Sequence, residues 1–360
     1  MPRLEGTILL TGANGGLGCG IVSNILSSPE LERHYHGIYT VRDAAKPAPA
    51  LDAVLQSRRR TSSGPDTPSH SSEKASLDLS RLASVRALAA SINQRVSAGE
   101  LPPIRAIILN AAYEEFQRQT WTDEGLDMTF VVNYLGHWLL VMLLLQSMDR
   151  KYGRVVWISS FSHKSTLIRS HCKSTHKTVI SSDLEPIAKG TWSPNSADDN
   201  NSWTWAAGYR RYGASKLCGV TMIHELQRRL DRDPVLRDIS VLAIDPGSMP
   251  TGIVRRSSSW FLRVVVFQLL FPVLCTLMVR LFPNGNWRTV QKSSRDVVAA
   301  ALKSGPPPLS QRPKSLYLNG SELGRYNSEA ADQAKGRVVW RGSVRYANLT
   351  EGDTVLKDWQ

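Results

Sequence analysis

The chain has 360 residues, of which 42% are hydrophobic and 21% charged, a balance typical of globular proteins that excludes a wholly disordered or collagenous chain. Its formal net charge is +13, but the basic groups are dispersed and do not form a stripe with stacking aromatic residues, so we predict no nucleic-acid partner. Solubility is the simplest explanation of the charge, and an anionic cofactor or an anionic membrane surface are the more specific alternatives. The four cysteines contain no CxxC pair and no targeting sequence precedes the first apolar run, so we expect a cytoplasmic protein.

Short apolar runs alternate with helix-like stretches along the chain. We predict strands at the runs rich in Val, Ile and Leu, which are Thr7–Leu10, Gly37–Val41, Ala106–Leu109, Arg154–Ser159 and Ile239–Ile244. We predict helices between them at Gly18–Leu26, Leu82–Val96, Val132–Met148 and Gly213–Leu230. This alternation predicts an α/β fold built on a single doubly wound parallel sheet with helices on both faces.

Two polar stretches, at about 44–76 and 162–207, interrupt this alternation. We expect the first to be a surface loop around one short helix, and both to be mobile loops at strand ends. The second contains the possible metal ligands His163, His171, Cys172 and His176. Zinc ligands usually come in tight pairs on defined turns, whereas lysines lie between these residues. We therefore predict a solvated loop and no metal site.

A glycine-rich segment, Thr11–Gly18, follows the first strand directly and opens a helix. Its glycines permit a tight turn and let backbone amides approach a pyrophosphate at the helix N-terminus. The position after a strand and before a helix makes this pattern typical of a dinucleotide site.

The end of the second strand bears on which nucleotide is bound. A free ribose is usually held by an acidic residue there, whereas a 2′-phosphate favours arginine. The sequence has Val41 where the acid would be expected, followed by Arg42, which can hold a phosphate through two hydrogen bonds. This favours NADP(H), although Asp43 could pair with Arg42 or reach the ribose.

A phenol and an ammonium group lie four residues apart at Tyr212 and Lys216, on one face of a predicted helix. An unperturbed phenol, with a pKa of about 10, is a poor acid–base catalyst at neutral pH. A nearby lysine and the positive nicotinamide ring of an oxidised cofactor favour phenolate, so we expect the pKa of Tyr212 to be lowered.

With these motifs in order, the chain resembles the classical short-chain dehydrogenase/reductase family from residue 7 to about 320. The matching segments are Thr11–Gly18, Leu77–Leu79, Asn110–Ala112, Val132–His137, Ile158–Ser160 and Asp245–Thr251. Tyr212 lies 52 positions after Ser160, an insertion that resembles the retinol dehydrogenase and sterol ketoreductase branch. The resemblance implies a Rossmann-type catalytic domain over 1–320, an apolar substrate lid at about 248–290, and a C-terminal extension, 321–360, packed on the lid.

The resemblance also implies the site residues. The catalytic set would be Asn133, Ser160, Tyr212 and Lys216. Tyr212 would exchange a proton with the reacting oxygen, and Ser160 (or Ser159) would hydrogen-bond that oxygen. Lys216 would lower the pKa of Tyr212 and hold the nicotinamide ribose, and Asn133 would order a water. The cofactor-binding residues would be Gly12, Asn14, Gly16, Leu17, Gly18, Arg42, Asp78, Asn110, Tyr212, Lys216, Met249 and Thr251.

The most apolar stretch, Trp260–Phe282, has an uncharged centre, Val264–Val279, of 16 residues. This is shorter than the roughly 20 residues that span a bilayer. We interpret it as the lid; a lid that also makes peripheral membrane contact through 260–282 and a true membrane anchor are the alternatives. An apolar lid favours a bulky, lipophilic substrate.

The sequence therefore predicts an NADP(H)-dependent ketoreductase for a bulky lipophilic ketone or secondary alcohol, such as a sterol, terpenoid or polyketide intermediate of secondary metabolism. The alternatives are an NAD(P)+-dependent alcohol dehydrogenase of the retinol type and a catalytically silent nucleotide-binding regulator. Many members of the family form dimers or tetramers, so the resemblance also suggests a homo-oligomer.

Overall fold

The computed structural model describes residues 4–61, 70–115, 118–164, 179–194, 204–249 and 271–360. Its strands are β1 (Gly6–Leu10), β2 (Tyr35–Val41), β3 (Ser72–Ser76), β4 (Ile104–Leu109), β5 (Arg154–Ile158), β6 (Ser240–Asp245), β7 (Tyr317–Asn319) and β8 (Glu322–Leu323). They form one sheet in the order β3-β2-β1-β4-β5-β6-β7-β8, parallel throughout except for the β7–β8 pair. The strand order reverses between β1 and β4, which is the point where doubly wound sheets bind ligands. The predicted α/β Rossmann-type fold is confirmed.

The helices cover both faces of this sheet. They are α1 (Gly16–Ser27), α2 (Pro29–His34), α3 (Pro49–Thr61), α4 (Leu82–Ser97), α5 (Met128–Ser147), α6 (Glu185–Ala188), α7 (Thr204–Arg232), α8 (Phe271–Leu281), α9 (Val290–Leu302) and α10 (Gln333–Tyr346). Because successive side chains of a strand point to opposite faces, Ile107 packs in a core with α4, α5 and α7, and Ile108 packs in a second core with α1 and α9.

Strand β3 lies inside the segment predicted as a loop. Its sequence, Ser-Glu-Lys-Ala-Ser, contains no apolar run, and its residues are exposed or half-buried at the edge of the sheet. Pairing with β2 through backbone hydrogen bonds holds it in place. The expectation of a loop around one short helix is therefore wrong for 72–76, and α3 in the same segment has 13 residues.

The described part of the second insertion is bound to the rest of the domain. The backbone N–H groups of Val179 and Ile180 donate to the Glu329 carboxylate at 3.0–3.1 Å. The N–H of Asp127 donates to the carbonyl of Ala188 at 2.8 Å. The insertion was expected to be a mobile, solvated loop; residues 179–194 are instead partly buried and hydrogen-bonded to the domain, whereas 165–178 and 195–203 lie outside the described residues.

Helix α5 is long and apolar enough to cross a membrane by length and composition, but 89% of its most apolar window is buried inside the domain. It is therefore a core helix. Its Val131–Leu135 segment is π-helical, and such segments are frequent at functional sites because they re-aim the side chains around them.

The C-terminal extension packs into the main core. Trp340 of α10 makes an edge-to-face contact with Trp138 of α5, with ring centroids 5.5 Å apart. The hydroxyls of Tyr134 and Ser343 are hydrogen-bonded at 2.6 Å. Helix α10 also contacts α7 and the short helix Ser328–Ala331. Packing of the extension on the lid stays a prediction, because residues 250–270 lie outside the described residues.

Helix α8, in the predicted lid, exposes large apolar side chains. Val273, Leu277 and Leu281 are 70%, 53% and 61% exposed, and Arg280 at its C-terminal end is exposed as well. Residues 250–270 lie outside the described residues, so lid closure and membrane contact through 260–282 stay predictions.

Candidate active site

The turn from β1 to α1 can only be built from glycine at two positions. Gly12 has φ +67°, and a Cβ there would lie 2.8 Å from the Cα of Ala111. A Cβ on Gly18 would lie 2.4 Å from the carbonyl oxygen of Gly12. Helix α1 begins at Gly16, with no capping side chain and no acidic residue in its first turn. Its N-terminal amides and positive dipole end therefore suit an anionic pyrophosphate.

Of the other predicted cofactor residues of this half, Asn110 contacts the same turn and Asn14 and Leu17 belong to it. The Asn110 side chain, at the end of β4, donates to the carbonyls of Thr11 at 2.9 Å and Gly12 at 3.2 Å. Asn14 accepts from the N–H of Leu51 at 3.0 Å. Asp78 follows β3 and accepts from the hydroxyl and N–H of Ser80, and Leu17 is buried under the turn.

Arg42 and Asp43 at the end of β2 do different things. The Asp43 carboxylate accepts from the N–H of Ala45 at 3.0 Å and lies 3.5 Å from the Lys46 ammonium. Arg42 is exposed. The acid is thus engaged by its own turn and by Lys46.

The segment after β6 is held by a residue that was not among the predicted site residues. The buried Arg288 donates to the carbonyls of Asp245 at 2.8 Å and Gly285 at 2.9 Å. This contact secures the turn that precedes Met249. The half-buried Met249 packs on the core beside α1, whereas Thr251 lies outside the described residues.

Asn133, in the π-helical segment of α5, connects two walls of the site. Its Oδ1 accepts from the N–H of Tyr113 at 2.7 Å, and its Nδ2 donates to the Tyr113 carbonyl at 3.0 Å. The same Nδ2 donates to the hydroxyl of Ser215 at 3.2 Å. Since Ser215 lies between Tyr212 and Lys216 on α7, Asn133 is joined to the helix that carries both.

Lys216 is buried beneath Tyr212. Its ammonium donates to the carbonyl of Ile158, the last residue of β5, at 2.9 Å, and lies 5.5 Å from the Tyr212 ring centroid. Burial lowers the pKa of Lys216 to about 8, although the carboxylates of Glu114 and Asp245 act in the opposite direction.

The pKa of Tyr212 is shifted in the direction opposite to the expected one. Burial raises the pKa of this phenol well above its ordinary value, and the carboxylates of Glu114 and Asp245 raise it further. A hydrogen bond with Ser160 acts in the opposite direction. For the chain without cofactor the shift is thus opposite to the expected lowering, because removal from water disfavours phenolate. The expected effect of a bound nicotinamide ring stays a prediction. The phenol is protonated at neutral pH.

The structure also separates the two serines at the end of β5. Ser160 is hydrogen-bonded to Tyr212, whereas Ser159 is buried beside Tyr317. The geometry therefore favours Ser160 as the serine of the site. Glu114, whose Oε2 is buried close to this group, was not singled out from the sequence; its position four residues after Asn110 was the available signal.

Asp127 and Arg211 form a buried ion pair behind these residues. Their charged atoms are 3.4 Å apart, and the two side chains are 3% and 4% exposed. Asp127 caps α5 by accepting from the N–H of Thr129 at 2.9 Å. Arg211 precedes Tyr212 directly. The pair therefore links the helix of Asn133 to the helix of Tyr212.

Within the described residues, no group of three or more His, Cys, Asp or Glu side chains is placed to hold a metal ion. His163 is described, and its Nδ1 lies 2.5 Å from the Ser160 carbonyl oxygen. His171, Cys172 and His176 lie outside the described residues.

Two buried histidines should make the folded chain sensitive to mild acid. Burial lowers the pKa of His137 to about 3 and that of His163 to about 4, against about 6.5 in an unfolded chain. Below about pH 6.5 the unfolded chain therefore binds more protons, and the free energy of unfolding falls by about 1.4 kcal/mol per pH unit for each histidine. We expect Tm to fall between about pH 6.5 and 5, less steeply in His163→Gln. A Tm independent of pH in this window would contradict the expectation.

Comparisons with known proteins agree with this arrangement. The family model described as short chain dehydrogenase matches residues 6–180. A short-chain dehydrogenase from Talaromyces variabilis, iccH, is 42% identical over 376 aligned positions, which cover 99% of each chain. The human WW domain-containing oxidoreductase is 28% identical over 94% of this chain and 67% of its own length. The solved structure of NADPH-bound carbonyl reductase from chicken fatty liver has a TM-score of 0.53 at 16% identity, covering 90% of this chain and 100% of that one, and so shares the fold.

Proposed function

Because the chain belongs to the short-chain dehydrogenase family, a family of oxidoreductases with nicotinamide cofactors, we propose that it is an NADP(H)-dependent ketoreductase for a bulky, lipophilic ketone. The observation that carries this proposal is the convergence of Tyr212, Ser160, Lys216 and Asn133 at the carboxyl ends of β4 and β5. A regulator without catalytic activity would have no need of this arrangement.

The residues of the chain account for the proton side of a reduction. When bound, the cofactor supplies the hydride. Tyr212, protonated at neutral pH, donates its phenolic proton to the carbonyl oxygen of the substrate. Ser160 donates a hydrogen bond to the same oxygen, which stabilises the negative charge that develops there. Lys216 and Asn133 supply the polar path along which a proton returns to Tyr212.

The residues around the glycine turn fit a dinucleotide. Gly12, Gly16 and Gly18 would let the pyrophosphate approach the N-terminus of α1, with Asn14 and Leu17 beside it. Asp78 would bind the adenine, and Tyr212, Lys216, Met249 and Thr251 would line the nicotinamide end. Asn110 would hold the turn itself, through the hydrogen bonds that it donates to the Thr11 and Gly12 carbonyls.

The preference for NADP(H) is proposed from the end of β2. Arg42 is exposed there, while Asp43 is engaged by Lys46 and the backbone of Ala45. A guanidinium group binds a 2′-phosphate through charge-assisted hydrogen bonds. The fold itself accommodates NADPH in the chicken carbonyl reductase.

A bulky, apolar substrate is proposed from the predicted lid. The described part of this segment, α8, carries exposed apolar side chains at Val273, Leu277 and Leu281. Burial of an extensive apolar substrate surface against such residues stabilises the bound state. An alcohol dehydrogenase of the retinol type is the second candidate; it uses the same residues in the reverse direction and would favour the oxidised cofactor.

A fluorescence titration with NADPH and with NADH tests the cofactor proposal. We expect the wild type to bind NADPH more tightly than NADH. In Arg42→Ala, the ratio of the two affinities should fall by about tenfold to a hundredfold. The matched control is Arg341→Ala, which removes an exposed guanidinium from α10, a helix of the opposite core. Equal binding of NADH and NADPH by the wild type, or an unchanged preference in Arg42→Ala, would refute the role of Arg42.

A further inference from the structure

A buried histidine that takes no part in the proposed reaction lies between the glycine turn and the catalytic lysine. His137 of α5 is 1% exposed and lies one helical turn after Asn133. Its Nε2 is 3.0 Å from the hydroxyl oxygen of Thr11. The edge of its ring meets Trp157 of β5, with centroids 5.9 Å apart. The imidazole thus contacts the first residue of the turn from inside the sheet.

The hydrogen bonds of Thr11 determine which atom carries the proton. The Thr11 hydroxyl oxygen accepts from the N–H of Asn110 at 2.8 Å and from the N–H of Ala111 at 3.0 Å. A hydroxyl has two lone pairs and one proton, so both lone pairs are used and the proton must go to an acceptor. The Ile108 carbonyl is 3.5 Å away, and His137 Nε2 is closer. Nε2 is therefore the acceptor, and the imidazole proton is on Nδ1.

The surroundings of His137 keep it in this neutral form. Burial and the charge of Lys216 lower its pKa to about 3. A protonated imidazole would donate from Nε2 as well, and it would then face the Thr11 proton. The neutral tautomer is the one that satisfies Thr11, Asn110 and Ala111 together.

We infer that His137 is a positioning residue that fixes the Thr11 hydroxyl, and through it the Asn110–Ala111 strand end, in the arrangement that the dinucleotide site requires. Thr11 opens the glycine turn, and Asn110 holds the carbonyls of Thr11 and Gly12. Ala111 lies against Gly12. If no acceptor stands at the position of Nε2, the Thr11 hydroxyl group must rotate to point its proton in another direction. Its lone pairs are then no longer aligned with the N–H groups of Asn110 and Ala111. This inference rests on the proposed dinucleotide site.

The test compares two substitutions of His137 that differ in one hydrogen-bonding atom. His137→Gln can place its amide oxygen near the position of Nε2, whereas His137→Leu removes the acceptor. We expect His137→Leu to bind NADPH about tenfold more weakly, as expected for one buried hydrogen bond, and His137→Gln to recover most of this loss. His224→Leu is the control, because His224 packs on Tyr326, away from the turn, and should bind NADPH like the wild type.

The tautomer of His137 can be measured in the wild type, so this test does not depend on whether the variants fold. In the wild type, 15N chemical shifts of the imidazole should show an unprotonated Nε2 and a protonated Nδ1 throughout the neutral pH range. A protonated Nε2, or equal NADPH affinity of folded His137→Leu and wild type, would overturn the inference. If the wild type binds neither NADPH nor NADH, the proposed function fails instead, while the tautomer result still decides the hydrogen bond.

Discussion

Tyr212→Phe should lower kcat by about a thousandfold and leave the Kd for NADPH nearly unchanged. The substitution removes only the phenolic oxygen, and general acid catalysis typically contributes factors of about a hundred to ten thousand. Burial keeps the Tyr212 proton in place at neutral pH, as a proton donor in the proposed reduction requires. Steady-state kinetics and a fluorescence titration on the same preparations give the two values.

The matched control for this prediction is Tyr346→Phe. Tyr346 belongs to α10, and its hydroxyl accepts from Arg345 at 2.6 Å, so the control also removes one hydrogen-bonded phenol. It should leave kcat unchanged. Turnover by Tyr212→Phe within a few fold of the wild type would exclude Tyr212 as the proton donor. Loss of cofactor binding would instead show that the phenol is needed to build the site.

Asp127→Ala should destabilise the fold by about 3–5 kcal/mol, because it removes the carboxylate that lies closest to the buried Arg211 guanidinium. The two charged atoms are 3.4 Å apart in a nearly water-free environment. Burial raises the pKa of Asp127 while Arg211 acts in the opposite direction, as expected for a carboxylate that needs its partner to stay charged. Urea unfolding measures the change in free energy.

Asp183→Ala is the control for the ion pair. Asp183 also lies 3.4 Å from an arginine, Arg345, and also accepts a backbone N–H nearby, but this pair is 51% and 55% exposed. Exposed pairs contribute about 0–1 kcal/mol, so the control should cost about 1 kcal/mol once the lost backbone contact is included. Similar losses in both variants would mean that Asp127 contributes only as a helix cap.

The sequence predicted the centre of the fold better than its edges. The five predicted strands have counterparts in the sheet because these strands are covered on both faces and consist mostly of apolar residues. Strand β3 escaped detection because an edge strand can be polar and is held by backbone hydrogen bonds to β2. Helix α7 begins at Thr204 instead of the predicted Gly213, since local pattern locates helix ends poorly.

The candidate site shows a similar division. Residue types and spacing drew attention to Tyr212 and Lys216, and the family resemblance added Ser160 and Asn133. The structure brings these four residues close together. The shift in the pKa of Tyr212 was not predictable, because burial and the approach of Glu114 depend on tertiary packing. The pairs Asp127–Arg211 and Thr11–His137 join residues that are far apart in the sequence. A local sequence pattern cannot predict such contacts.

The proposed ketoreductase activity is tested most directly by following the oxidation of NADPH by the purified protein in the presence of a panel of bulky, lipophilic ketones. Parallel reactions replace NADPH with NADH, or use the corresponding alcohols together with NAD+. We expect ketone-dependent oxidation of NADPH that is faster than that of NADH and absent in Tyr212→Phe. Activity confined to alcohols with NAD+ would contradict the proposed ketoreductase and favour the alcohol dehydrogenase.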